Sequence, residues 1–490
     1  MIVSWGYIVT RILTFKLLRF FCLIAPLYLS SCQNGPSRMA REASQPDPYY
    51  IDPTKSTFPM ENYPQSVDKW VLTDVDKDAP IVDMATQERY FAALKAHYYG
   101  MDLEGSSPWN PFYIRKILSS SVENTRDWGI DAYLGTTKNT WGQNFRTHDE
   151  AWKSALRDNA EVRIGSTYDA ANRGIVTRES LVRVLPTDDP AYNDPRKAGE
   201  GYPFDNFQMS SIRPGTPIYT LAVSQDHRWR YVISPEVTGW VHYEDIADAS
   251  AAFVNTWLKM ADAHLGAFTS QPVSIYKKHA FRFTARIGTV LPFMNANSSG
   301  VLVAIPVSNM SGEAQIEWYE DTDQTFSSMP IPMNRRNLAK LMQSLVNRPY
   351  GWGNYNFYND CSAELRSLLL PFGIFMPRNS LAQIDATSRK IDLAKSDVDA
   401  RIDYLVKNGK PFTTLIHIPG HIMMYIGNKV FNGKLVPMTY QDVWGLRPKD
   451  ADGRSIIGGS VFLPLLKSYP EDANLQSLAG KSKFEVGFIE

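Results

Sequence analysis

Cysteine is scarce in this 490-residue chain: three residues, Cys22, Cys32 and Cys361. That is too few for a disulfide framework. The eight histidines do not combine with them in any zinc-ligand spacing, so no metal and no other cofactor is expected. Net charge is also lacking. Lys plus Arg and Asp plus Glu both number 51, which argues against nucleic acid or a strongly charged substrate as the main partner. Beyond the N-terminus, no apolar run is long enough to span a bilayer. Aromatic residues are plentiful, with 25 Tyr, 23 Phe and 12 Trp, and suit strand-rich domains with carbohydrate or peptide grooves. The length exceeds what one core fills, so several domains are expected.

Residues 1–32 have the layout of an export signal. Arg11, Lys16 and Arg19 precede the apolar run Phe20–Leu29, which Pro26 interrupts and which is short for a membrane span. Leu29-Ser30-Ser31-Cys32 resembles a bacterial lipobox, making Cys32 the expected lipidation site and membrane anchor. Gln33 after it suggests, by resemblance to bacterial sorting, the periplasmic face of the outer membrane. Residues 33–60, rich in Pro, Ser and polar residues, read as a tether.

The remaining pattern predicts a multidomain α+β protein. Residues 61–159 read as a helical domain: Asp83 is placed to cap a helix ended by Gly100, and Thr147-His148-Asp149-Glu150 has capping-box spacing. Over 160–246, β-branched and aromatic runs at Gly174–Leu185, Pro217–Val223, Trp229–Ile233 and Val237–Tyr243 alternate with turn residues. Asp226–Val232 followed by Thr238-Gly239-Trp240-Val241 resembles the end of a bacterial SH3-like barrel. Trp229 and Trp240 there suit barrel core more than ligand stacking. Residues 247–270 carry a connecting helix and 271–330 a second, more divergent SH3-like barrel. Residues 331–466 form a catalytic domain opened by a helix from Met333 to Val346, and 467–490 read as a polar tail.

Chemistry concentrates in the catalytic domain. A Gly- and aromatic-rich stretch, Arg348 to Tyr358, runs into Asp360-Cys361-Ser362, and Leu365, Leu368 and Leu369 then share one helical face. Pro371 and Gly373 end that helix. Cys361 is thus expected at a helix N-terminus, where the macrodipole favours thiolate, the nucleophilic form. Only His417 and His421 follow it. His421, at the mouth of the apolar stretch Ile422–Ile426, is the expected base, with His417 as a weaker alternative. Gln441 is placed to orient the imidazole, while strand alternation turns Asp442 to the opposite face.

Tyr350 in Arg-Pro-Tyr-Gly-Trp-Gly, Asp360-Cys361-Ser362, Pro377–Gln383, Gly420-His421 and Gln441–Gly445 occur in an order that resembles the NlpC-type cell-wall cysteine peptidases. The resemblance implies a papain-like α+β domain after a helical region and two SH3-like β-barrels. It implies cleavage of murein stem peptides between γ-D-Glu and the diamino acid through a thioester, on fragments with a free L-Ala terminus. Cys361 would be nucleophile, His421 base, Gln441 the third polar residue and Tyr350 an oxyanion partner. Asp360 and Ser362 would contact the substrate amine, although a plain helix-capping role suits both. Many relatives carry His where Gln441 stands, which supports a rival reading as a weak or inactive wall-binding scaffold; a second rival is an amidase or acyltransferase on the same fold.

Overall fold

The computed structural model describes residues 57–490 except 73–75, 121, 136–138, 196, 198, 296–299 and 451–452, and the side chains of 122–125. The export run, Cys22, Cys32 and residues 33–56 of the expected tether lie outside the described residues.

The N-terminal helices are α1 (Val67–Val71), α2 (Met84–Tyr99), α3 (Pro111–Leu118), α4 (Val122–Leu134) and α5 (Glu150–Ala160). Asp83 caps α2 through Thr86 N–H at 2.9 Å, as its position predicts. The capping box expected at Thr147 does not form. Asp149 takes the cap instead, accepting from Trp152 N–H at 2.8 Å, and α5 starts at Glu150. These helices build no core of their own. Val67 and Val71 pack with Leu338, Leu365 and Leu368 of the catalytic region. Tyr98 and Trp109 pack with Phe253 and Trp257, and Ile114 and Leu156 with Tyr219 and Trp240. The expected helical domain is instead a cover shared by three cores.

The SH3-like region holds β1 (Arg173–Val176), β2 (Ser180–Arg183), β3 (Gln208–Ile212), β4 (Pro217–Val223), β5 (Trp229–Ile233), β6 (Thr238–His242) and β7 (Ile246–Asp248). They form an antiparallel sheet in the order β3-β2-β6-β5-β4-β1-β7. Trp229 and Trp240 are buried, so both are core residues. After α6 (Ala251–Ala263), capped by Ser250, come β8 (Leu265–Phe268), β9 (Val273–Lys277), β10 (Ala280–Ala285), β11 (Val290–Asn295), β12 (Val301–Ser308), β13 (Ala314–Asp321) and β14 (Phe326–Ser328). They make a five-stranded sheet, β13-β12-β11-β8-β14, and a separate β9–β10 hairpin. The mixed helix-and-sheet class is the expected one, but neither ladder closes: the first ends at β3 and β7, the second at β13 and β14. The two barrels of the sequence reading are open sheets.

The catalytic region comprises α7 (Arg335–Leu345), α8 (Cys361–Leu369), α9 (Ser380–Asp385), β15 (Arg389–Asp392), α10 (Val398–Asn408), β16 (Thr414–Ile418), β17 (His421–Phe431), β18 (Lys434–Leu446), β19 (Ser455–Pro464) and β20 (Glu485–Phe488). Its sheet runs β15-β20-β16-β17-β18-β19, and α8 packs on β17 and β18. The expected tail 467–490 is therefore part of the domain, because β20 lies between β15 and β16 with Phe484, Val486 and Phe488 buried. The alternation of Val486 and Phe488 around Gly487 is too short a signal to stand out from polar surroundings. Residues 57–60, the described end of the expected tether, are docked as well: Thr57 pairs with Ile456 and Phe58 is buried against Tyr469.

A buried ionic joint fixes the SH3-like sheet against α8. Arg366 pairs with Glu236 and donates to Tyr98 Oη at 2.9 Å, while Tyr98 donates to Glu236 at 2.7 Å. Arg213 donates to Ser367 Oγ at 2.6 Å.

Truncation after Lys483 removes a central strand. Losing a buried Phe costs about 3–5 kcal/mol, and two are lost with Val486, against a total stability of about 5–15 kcal/mol. The truncated protein is expected to show no cooperative thermal transition by circular dichroism; a transition within a few degrees of the full chain would make 484–490 a dispensable tail.

Candidate active site

Asp360 starts α8. Its Oδ1 accepts from Ala363 N–H at 3.0 Å and from Ser362 Oγ at 3.0 Å, and its Oδ2 accepts from Gly353 N–H at 3.1 Å. Arg378 then closes on both oxygens, Nη1 to Oδ1 at 3.1 Å and Nη2 to Oδ2 at 2.8 Å. Burial raises the carboxyl's pKa, but Arg378 and the capping bonds outweigh it and hold the group ionised. Arg378 also donates to Ser362 Oγ at 2.9 Å, Asn354 Oδ1 at 3.1 Å and Ser210 Oγ of β3 at 2.8 Å. Gln383 adds a bond from Nε2 to the Ser362 carbonyl at 2.7 Å. The Pro377–Gln383 segment is thus a clamp on the first turn of α8. Asp360 and Ser362, the residues expected to meet a substrate amine, are both engaged by this clamp, with a guanidinium beside the carboxylate. The sequence places Arg378 in the Pro377–Gln383 block but gives it no role, and nothing local marks Ser210 as its partner.

The loop before α8 is shaped by left-handed residues, including Gly353, Asn354 and Asn356. A Cβ on Gly353 would stand 2.4 Å from the Gln208 carbonyl, so only glycine admits the close approach of β3. Gln208 Nε2 seals it with a 2.7 Å bond to Gly353 O. Trp352 donates to Asp205 O at 3.0 Å, and Phe204 packs edge-on against both Trp352 and Trp444. The SH3-like sheet edge therefore forms a wall against the loop that leads into Cys361.

Cys361 is 7% exposed, and the backbone N–H of Ile422, the residue after His421, acts on it to lower the thiol pKa. On the His421 side, hydrogen-bond polarity fixes the ring. Thr439 Oγ1 donates to Leu463 O at 2.7 Å, so it accepts from Gln441 Nε2 at 2.8 Å. The Gln441 amide oxygen then faces His421 Nε2 at 2.7 Å and must receive its proton. Nδ1 is left with the lone pair, the tautomer a general base requires. His417, the alternative base, is spent elsewhere: its Nδ1 bonds Glu485 Oε2 at 2.9 Å. Tyr350 hangs from Gly458 O through its N–H at 2.9 Å, and its hydroxyl pKa is raised well above normal by burial and then by the nearby Cys361 and Asp360.

The expectation of a resting thiolate does not hold. Burial, and after it the Asp360 carboxylate, push the thiol up to about 12. Burial depresses His421 to about 4, only partly offset by the Gln441 bond. These effects exceed what the helix terminus contributes. The pair rests as thiol and imidazole at neutral pH, and the proton must move during attack. Among the described residues no cluster of His, Cys, Asp or Glu could hold a metal.

Iodoacetamide should accordingly alkylate Cys361 slowly at pH 7, with a rate climbing about tenfold per pH unit into the alkaline range; a plateau already reached at pH 7 would restore the resting thiolate. Replacing Thr439 with Val frees the Gln441 amide to flip and is expected to lower turnover by about tenfold or more without moving the thermal midpoint by more than a few degrees; unchanged turnover would remove Gln441 from the orienting role.

Comparison with known proteins agrees with this architecture. Residues 190–242 match the model of an SH3 domain (SH3b1 type). An NlpC/P60 endopeptidase from Photobacterium damselae subsp. piscicida superposes with a TM-score of 0.76 at 24% identity, over 88% of this chain and 98% of that one. An NLPC/P60 family protein from Bacillus cereus gives a TM-score of 0.42 at 14% identity, over 62% and 98%. No curated protein matches the chain. What this chain shares with the Photobacterium protein is the fold, that of an NlpC/P60 endopeptidase, and residues 190–242 of this chain add the match to an SH3 domain.

Proposed function

We propose that this protein is a cysteine peptidase that hydrolyses peptidoglycan stem peptides at the bond between γ-D-Glu and the diamino acid. One observation carries the reading. Cys361 opens α8, which packs on the strand that begins at His421, and His421 is locked by Gln441 in the tautomer that accepts a proton. The NlpC/P60 endopeptidase fold and the SH3-type domain support it.

In this scheme the thiol proton passes to His421 Nδ1 as sulfur adds to the γ-glutamyl carbonyl. The developing oxyanion is met by first-turn N–H groups of α8, which have no intrahelical acceptor, and by Tyr350. Collapse gives a thioester and releases the amine, protonated from the imidazolium. Water, deprotonated by the same nitrogen, then frees the acid. Gln441 stabilises the imidazolium less than a carboxylate would, consistent with a base that stays neutral down to about pH 4.

The wall contributed by β3 and the Phe204–Trp352 contact supports a restriction to fragments that end at L-Ala, since it stands against the loop that leads into Cys361. By the same proposal Cys32 carries lipid that anchors the protein in the cell envelope, facing the periplasm from the outer membrane.

The test is incubation of the soluble part with L-Ala-γ-D-Glu-diaminopimelate and detection of L-Ala-D-Glu by mass spectrometry. Wild type is expected to exceed Cys361→Ala by about ten-thousand-fold. Equal traces would favour a wall-binding scaffold, and cleavage before D-Glu would favour an amidase.

A further inference from the structure

Beneath the candidate site lie two carboxyl groups that the mechanism does not use. Glu364, on α8 one turn after Cys361, is fully buried. It accepts from Asn359 Nδ2 at 2.6 Å, from Ser460 Oγ at 2.7 Å and from the Tyr440 hydroxyl. Asp442, next to Gln441 on β18, is also fully buried, and neither of its oxygens has a hydrogen-bond partner among the described residues. The hydroxyl that bears on it, Ser460 across the β18–β19 ladder, is committed to Glu364.

This distribution decides where one proton goes. Burial raises the pKa of Glu364 as well, but its three donors work against that rise, whereas Asp442 has none and sits beside another carboxylate, so Asp442 is the acid that takes the proton. The titratable groups that bear on Asp442 and its surroundings are Glu364, Asp360 and Cys361 from α8 and its cap, Tyr440 on β18, and Tyr350 from the preceding loop. Among the described residues the cations nearby are engaged elsewhere: Arg378 pairs with Asp360, and Arg213 acts on Glu364. Among the described residues no cation compensates an ionised Asp442.

We propose that Asp442 is a positioning residue held as the neutral acid, and that its proton keeps a second negative charge away from the sulfur of Cys361 as that sulfur ionises. It works through the Cys361–His421 pair and rests on the reading of Cys361 as nucleophile. Burial, and then Glu364 and Asp360, drive its acidity in the same direction. As pH rises and the proton is lost, the new carboxylate opposes thiolate formation, so the Glu364–Asp442 pair sets an alkaline limit on sulfur reactivity.

Two measurements test this without substrate, so they stand or fall apart from the peptidase reading. Infrared difference spectra at pH 7 should show one protonated-carboxyl band that disappears in Asp442→Asn and remains in Glu364→Gln. A band lost only in Glu364→Gln would move the proton to the other acid, and no such band in wild type would overturn the proposal. In parallel, Cys361 alkylation by iodoacetamide is followed against pH. Above the pH at which the wild-type band is lost, the wild-type rate should fall at least threefold below that of Asp442→Asn. Superimposed profiles over the whole range would overturn the electrostatic link. Circular dichroism of each variant separates these outcomes from misfolding, and the near-isosteric Asn and Gln replacements leave no cavity.

Discussion

The ion pair between Arg378 and Asp360 is the joint on which the candidate site depends. Asp360 alone would only cap a helix. With Arg378 across both of its oxygens, the cap becomes an anchor that reaches Ser362 on the nucleophile turn, Asn354 in the preceding loop and Ser210 on the SH3-like sheet. A buried pair of this kind is held by geometry as much as by charge, since breaking either half leaves an uncompensated ion. Removing the guanidinium would loosen the first turn of α8, the left-handed loop and the sheet edge together.

A consequence of this tight enclosure is that the reactive groups rest uncharged. The same burial that orders the sulfur penalises thiolate, and the anchoring carboxylate adds to the penalty. Gln441 accepts the imidazole proton and fixes the tautomer, yet supplies no charge to favour imidazolium. The site is therefore organised for proton transfer during attack rather than for a preformed ion pair, and the neutral Asp442 fits that design by adding no charge of its own.

The sequence made the elements of the candidate site legible because its signals are local. Cys361 before an apolar helical face, a Pro-Gly turn before His421, and strand alternation separating Gln441 from Asp442 each needed only a few neighbouring residues. The strands at Pro217–Val223 and Trp229–Ile233 were readable for the same reason. What stayed hidden depends on distant partners. Ser210, Gln208 and Glu236 are ordinary polar residues until β3 and α8 come together, and β20 is a strand only because β15 and β16 leave a gap for it. The thiol's charge state was misjudged because a helix start is visible in sequence whereas desolvation is not. The open sheets, likewise, depend on pairings between strands far apart in the chain.

The central claim is that Cys361 forms the covalent bond to substrate. The most direct measurement is intact-protein mass spectrometry after rapid acid quenching with L-Ala-γ-D-Glu-diaminopimelate, followed by peptide mapping. The account predicts transient addition of the L-Ala-γ-D-Glu acyl group on the peptide containing Cys361; product released with no covalent adduct at any time point, or an adduct on another residue, would contradict it.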